Sequence, residues 1–198
     1  MRWDNLFDDL ESQLEQELTV DDLDVRAEEE RLRLARLGIR DRLISLHDCP
    51  ETDLRMMRLE LRDGARVTVI PATFGRDWFA GELVEDGNRA PACIVPLDAI
   101  SSLVLTREQV AASLESPTDD AARSLAARLG MPFVLRDLCR RRRPLEIRVA
   151  GQLLFGTLDR VGRDHCDLAV HEPGGVRRES AVVEYRVLRL SEVLLIRL

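Results

Sequence analysis

The chain has 198 residues, 45% of them hydrophobic and 33% charged, and a formal net charge of −7; that apolar share is ordinary for a globular protein able to bury a core. No run approaches the ~18 consecutive apolar residues of a membrane-spanning helix, and the acidic start "MRWDNLFDDL" lacks the basic-then-apolar order of a secretory signal. The expectation is a cytoplasmic protein without membrane contact.

Residues 1–30 hold twelve acidic residues against Arg2 and Arg26, a net of −10, so the remaining chain carries +3. An acidic leader therefore conceals a slightly basic body, and net charge does not exclude a nucleic-acid partner. Leu6, Leu10, Leu14 and Leu18 recur at four-residue spacing, which predicts a helix with a narrow apolar stripe. Thr19 with Asp22 then predicts a cap opening a second helix to about Leu37. Such a leader packs its stripe on the body, recruits a basic protein partner, or occupies the protein's own basic groove.

From residue 31 the sequence repeats. "LELRDG" (Leu59 to Gly64) returns as "LEIRVAG" (Leu145 to Gly151); Gly75, Arg76 and Asp77 return 87 positions later as Gly162, Arg163 and Asp164. "IVPLDAISSLVL" (Ile94 to Leu105) pairs with "VLRLSEVLLIRL" (Val187 to Leu198) at an offset of 93, and "ARLG" occurs at 35–38 and 127–130. Within each unit, alternation at Leu59/Leu61 and Leu145/Ile147 predicts half-buried strands. A second strand runs through Val67, Val69 and Ile70, matched by Leu154 and Leu158. "GRD" follows as a hairpin tip, its glycine expected at positive φ. A third strand leads to the turns "EDGN" and "EPGG", and two short strands close around the corners "LDAI" and "LSEV". The fold expected is α+β, an internal duplication of a helix plus a five-stranded small barrel behind an acidic N-terminal helical segment. Its parts are a leader (1–30), a first helix plus barrel (31–105), a linker (106–118) and a second helix plus barrel (119–198).

"LEIRVAGQLLFGTLDRVGRDHCDLAV" resembles the first motif of the Sm, LSm and Hfq-like family: an apolar strand, a glycine turn, a second strand and an acidic residue at the next turn. "VLRLSEVLLI" resembles its second, a strand, a helical corner and a final strand. That resemblance implies an SH3-like barrel and RNA as partner. The chain departs from the family where an Asn usually follows the acid, with Trp78 and His165 standing directly after Asp77 and Asp164. The whole chain also resembles a family of actinobacterial proteins of similar length, sometimes labelled Fis-type regulators.

The candidate nucleic-acid contacts are Arg140, Arg141, Arg142 and Arg143, whose guanidinium groups suit phosphates, and Arg76, Trp78, Arg163 and His165 at the two tips, where an aromatic ring beside an arginine could stack a base. Arginines also favour helix C-termini, and Trp78 equally suits an inward-facing start of the third strand. A helix to about Leu129, a Gly-Met-Pro break and a helix over 132–142 leave room for a helix-turn-helix, with Ala126 and Gly130 at its characteristic spacing. Cys49, Cys93, Cys139 and Cys166 lie far apart without a CxxC pair and read as small buried thiols. His165 and His171 on one strand would stand about 20 Å apart at roughly 3.3 Å per residue, too far to share a metal. No nucleophile elbow, phosphate loop or dinucleotide motif occurs, so no catalytic residue, metal or cofactor is expected.

Finally, "VLLI" at 193–196 shows no alternation, which predicts burial of both faces of the last strand, by the other barrel or by a second subunit pairing on an edge strand. The sequence thus favours a non-enzymatic tandem barrel binding RNA or another nucleic acid in a regulatory role. A protein-interaction scaffold using the acidic helix is the alternative, and a DNA-binding transcriptional regulator comes third.

Overall fold

The computed structural model describes residues 25–85, 88–115, 125–173 and 179–198. The chain divides into two compact units, Met1–Gly38 and Ile39–Leu198. In the first, residues 25–36 are helical (α1), within the helix expected to reach about Leu37, with exposed ion pairs Arg31–Glu28 and Arg33–Glu30 one turn apart; the expected cap, Thr19 with Asp22, lies outside the described residues. The leucine stripe of residues 6–18 lies outside the described residues.

The second unit is mixed α+β. Its helices are α2 (Ile39–Asp48), α3 (Arg107–Ser113) and α4 (Met131–Arg140). Its strands are β1 (Met57–Leu61), β2 (Arg66–Phe74), β3 (Trp78–Glu85), β4 (Asn88–Pro96), β5 (Ile100–Val104), β6 (Pro144–Val149), β7 (Gln152–Val161), β8 (His165–Val170), β9 (Glu184–Arg189) and β10 (Val193–Arg197). They form one ten-stranded sheet, β5-β1-β2-β3-β4-β10-β6-β7-β8-β9, with every adjacent pair antiparallel.

Each half of that order reads last strand, first, second, third, fourth, and the ladders agree in detail. Leu59 faces Leu103 and Ile147 faces Ile196, with a register shift one residue further along in each case. Through this register Leu59 corresponds to Ile147, two places beyond the Leu145 that sequence similarity alone suggests. The reason is the turn after the first strand, where Gly64 and Gly151 both take positive φ (80° and 77°) but the first half holds one more residue.

Strand alternation follows burial, as in β1, where Met57, Leu59 and Leu61 are inward. α2 covers the first core with Leu43, Ile44 and Leu46; α4 covers the second with Met131, Leu135 and Leu138, spaced to share one helix face. Pro132 opens α4, where a missing N–H does no harm. α4 ends at Arg140, two residues before the expected Arg142. The helix expected to reach Leu129 is a 3-10 turn at Ala126–Arg128, and the rest of it falls on residues 116–124, outside the described residues. A helix-turn-helix would need α4 to face solvent; Leu135 and Leu138 are instead buried in the second core, whereas Phe133 is 56% exposed. Residues 106–118, expected as a linker, open with α3, whose capping box pairs Thr106 with Gln109.

Burial explains the unbroken apolar run at the end of the chain. Val193, Leu194, Leu195 and Ile196 are all buried, but Val193 and Ile196 fill the second core while Leu194 and Leu195 fill the first. In return the first half gives Trp78 and Ile94 to the second core. β10 thus binds the halves, pairing with β6 on one side and with β4 on the other through Ile196–Ile94 and Arg197–Cys93.

Candidate functional site

The two "GRD" tips are built alike. Gly75 N–H donates to the Trp78 carbonyl at 2.8 Å, and Gly162 N–H donates to the His165 carbonyl at the same distance. Positive φ is found at Gly64 and Gly151, so the expected conformational reason for Gly75 and Gly162 does not hold. What each requires is room: a Cβ on Gly75 would lie 2.1 Å from Trp78 Nε1, and one on Gly162 2.6 Å from His165 Cε1. Each tip is then fastened to the corner after the fourth strand, Leu97 N–H donating to the Asp77 carbonyl (3.0 Å) and Leu190 N–H to the Asp164 carbonyl (2.8 Å).

These ties bring both tips and both corners to one cavity of about 550 Å³ at the junction of the halves. Arg76, Arg163 and Arg189 supply its cations, Asp77, Asp98 and Asp164 its anions, and Pro96, Leu97, Met131 and Leu190 much of its apolar wall. Formal charge therefore balances, but the side chains are not equally engaged. Asp77 Oδ1 accepts the N–H of Met131, the second residue past Leu129, at 2.7 Å; its other oxygen lies 3.5 Å from Arg76. Asp164 Oδ1 lies 2.9 Å from His165 Nδ1, and this hydrogen bond, with the charges of His165 and Arg189, holds its carboxyl below the usual range. Arg163, by contrast, has no side-chain hydrogen bond or ion pair among the described residues. Gly130 leaves space for the Arg76 guanidinium, because a Cβ there would come within 2.7 Å of Nη2.

Trp78 does not serve as the expected stacking platform. It is 5% exposed, and its indole N–H donates to the Leu129 carbonyl at 2.9 Å. An indole at a strand start beside glycine is drawn inward by its large apolar area, and its polar end needs the partner that Leu129 provides. His165, the matching residue, keeps a half-exposed ring.

Nor do the four consecutive arginines join the tips. They lie at the far end of α4, roughly 15 Å from Met131 at 1.5 Å per residue. Arg140 and Arg141 both pair with Asp137, and Arg142 pairs with Asp159 at 3.0 Å. Desolvation pushes the Asp137 carboxyl up, but the two arginine hydrogen bonds outweigh it and hold the carboxyl below its usual range. These arginines chiefly serve the helix C-terminus, leaving Arg143 alone without a side-chain partner among the described residues.

Sequence reasoning missed Arg189, Asp98, Leu97 and Leu190. The corners containing them were legible as turns, but their approach to the tips depends on two long-range backbone hydrogen bonds. It also missed two ion pairs and an arginine-to-carbonyl hydrogen bond at the junction. Arg148 Nε bonds Asp63 Oδ2 at 2.7 Å, Arg62 donates to the Ser191 carbonyl, and Arg197 pairs with Glu85. Burial alone would raise the Asp63 carboxyl, but the bonds from Arg148 and the Ala65 N–H prevail and lower it.

Among the described residues, no group of three or more His, Cys, Asp or Glu side chains could hold a metal. None of their helices is long and apolar enough to cross a membrane. No protein-family model, no curated protein and no solved structure matches the chain.

Proposed function

We propose that the protein is a non-enzymatic tandem of two Sm-like five-stranded barrels, the product of an internal duplication, which binds single-stranded RNA in its junction cavity. The repeated strand order, the shared bulge position and the helix ahead of each half support the duplicated barrel. The observation that carries the functional reading is the convergence of Arg76 and Arg163, from matching tips 87 residues apart, on one cavity.

A volume of about 550 Å³ lies within the range of small-ligand sites. Its mixture suits a nucleotide: apolar side chains accept a base, and guanidinium groups donate to phosphate or stack on the ring. Since Asp77 and Asp164 already have partners inside the protein and Arg163 has none among the described residues, an incoming phosphate meets an unengaged cation. Among the described residues only three arginines line the cavity, so few phosphates are neutralised, few counterions are released and the dependence of affinity on salt is shallow.

The test is a titration of short single-stranded RNA, and of duplex DNA, against the full chain and its variants at two salt concentrations. R76A/R163A should weaken RNA binding at least tenfold. Replacing Arg140, Arg141 and Arg142 with Ala should change it less than threefold, because those side chains are paired with aspartates. No RNA binding by the full chain would leave the interaction-scaffold reading, and binding of duplex DNA alone would leave the DNA-binding regulator. Recruitment of a protein by the acidic leader concerns residues 1–30, of which 1–24 lie outside the described residues.

A further inference from the structure

We propose that the junction cavity selects a guanine nucleotide, with Asp98 accepting the hydrogen-bond donors of the base while Arg163 and Arg189 serve its phosphate. The inference rests on reading the cavity as a nucleotide site and adds which base it takes. It follows from the places where the two halves of the cavity differ.

The two corners are the 3-10 turns Leu97–Ala99 and Leu190–Glu192, which lie against each other. At the offset of 93, Leu97 matches Leu190, but Pro96 matches Arg189 and Asp98 matches Ser191. The first corner therefore contributes an acid and the second a cation to the same space. Two of the acids lining that space have partners in the protein: Asp77 accepts the first N–H of α4, and Asp164 bonds His165. Asp98 is exposed, and its side chain has no hydrogen bond or ion pair among the described residues. The Arg189 side chain likewise has no hydrogen bond, although its charge acts on Asp164. An unengaged carboxylate in a site for an anion repels the ligand unless it meets donors, so it works against every nucleotide whose base offers it none.

A carboxylate only accepts hydrogen bonds, and the four bases differ in what they present to it. Guanine shows N1–H and its N2 amino group side by side, and the two oxygens of one carboxylate accept both. Adenine and cytosine each place one amino group beside a ring nitrogen acceptor, so one oxygen gains a bond and the other meets a lone pair. Uracil holds its N3–H between two carbonyl oxygens, and both of these face the acid unfavourably. The order expected is guanine first, adenine and cytosine next, and uracil last. The same chemistry comes from a guanosine within an unpaired strand, whose Watson–Crick edge is open, or from free guanosine monophosphate. A cavity of about 550 Å³ is of the size that encloses one nucleotide.

The experiment is calorimetric titration of the full chain with single-stranded RNAs of equal length. One is all uridine, the others carry a single central guanosine, adenosine, cytidine or inosine, and free guanosine monophosphate is titrated separately. One guanosine should tighten binding by about tenfold or more over all-uridine. Inosine, which keeps N1–H but lacks the N2 amino group, should lose most of that gain. Asp98→Asn and Asp98→Ala should remove the preference and leave the thermal midpoint unchanged, because the side chain is exposed and unbonded. All-uridine RNA should bind Asp98→Ala more tightly than wild type, since the repulsion is gone. Monophosphate that binds through Asp98 as tightly as the guanosine strand supports the free nucleotide as the source; a clear advantage of the strand supports RNA. A guanosine strand no tighter than all-uridine, or a guanosine preference that survives Asp98→Ala, would overturn the proposal and leave RNA binding in the cavity standing. Monophosphate bound through Asp98 without binding of any strand would overturn the RNA reading and leave this one standing, and binding of neither would sink both.

Discussion

Leu195→Ala probes the crossing of β10 between the two cores. Leu195 is 3% exposed and lies in the first core, although its backbone is laddered to Arg148 of the second half. Its truncation removes apolar contacts and leaves a cavity among side chains anchored on several strands, a change that destabilises by about 2–5 kcal/mol. At roughly 2–4 °C per kcal/mol for a chain of this size, the thermal midpoint falls by about 4–20 °C. Ser102, at the matching place on β5, is exposed, and Ser102→Ala should stay within about 0.5 kcal/mol. Thermal and urea unfolding followed by circular dichroism measures both. L195A should keep one transition, shifted as a whole, because the residue ties the halves together. An effect as small as that of S102A, or an early transition of one half alone, would refute the reasoning.

The aspartates at the two tips should differ in the same assay. Asp77→Ala loses the bond to the first N–H of α4 and destabilises by about 0.5–2 kcal/mol, whereas Asp164→Ala, at a side chain 80% exposed and hydrogen-bonded to the adjacent His165, has little effect on unfolding. Gly75→Ala forces the Trp78 ring off its Leu129 bond and should destabilise by about 1–3 kcal/mol, readable also as a change in tryptophan fluorescence. Burial pushes the thiols of Cys93 and Cys166 up to about 11 and about 12. Between the ordinary thiol value near 8.5 and those values the folded chain holds protons that the unfolded chain releases, so stability falls as pH rises through that window. Cys93→Ala and Cys166→Ala variants should show a flatter alkaline limb, and a slope unchanged from wild type would contradict this.

Much of the architecture was legible because short-range patterns carried it. Alternation in β1 and β6, the stripe of Met131, Leu135 and Leu138, and the unbroken "VLLI" each reflect burial that neighbouring residues report directly. The repeat placed the matching tips. The pairing of β4 with β10 across the five strands that separate them in chain order was not legible, and neither was the meeting of tips with corners, since nothing local distinguishes Leu97 from any other turn residue. The single-residue difference in the turn after the first strand also misled the alignment, as "LE" recurs by coincidence two places from its structural counterpart. Charge was the least reliable guide. The densest basic cluster is largely spent on Asp137 and Asp159, 3 and 17 residues from the arginines that bond them, whereas Arg163 has no side-chain partner among the described residues.

The most direct test of the cavity reading is hydrogen exchange of the full chain with and without a short single-stranded RNA. Occupation of the junction should protect residues 75–77, 96–98, 162–164 and 189–191 together, because these segments line one cavity. Protection confined to residues 140–143, or of one tip without the other, would contradict it.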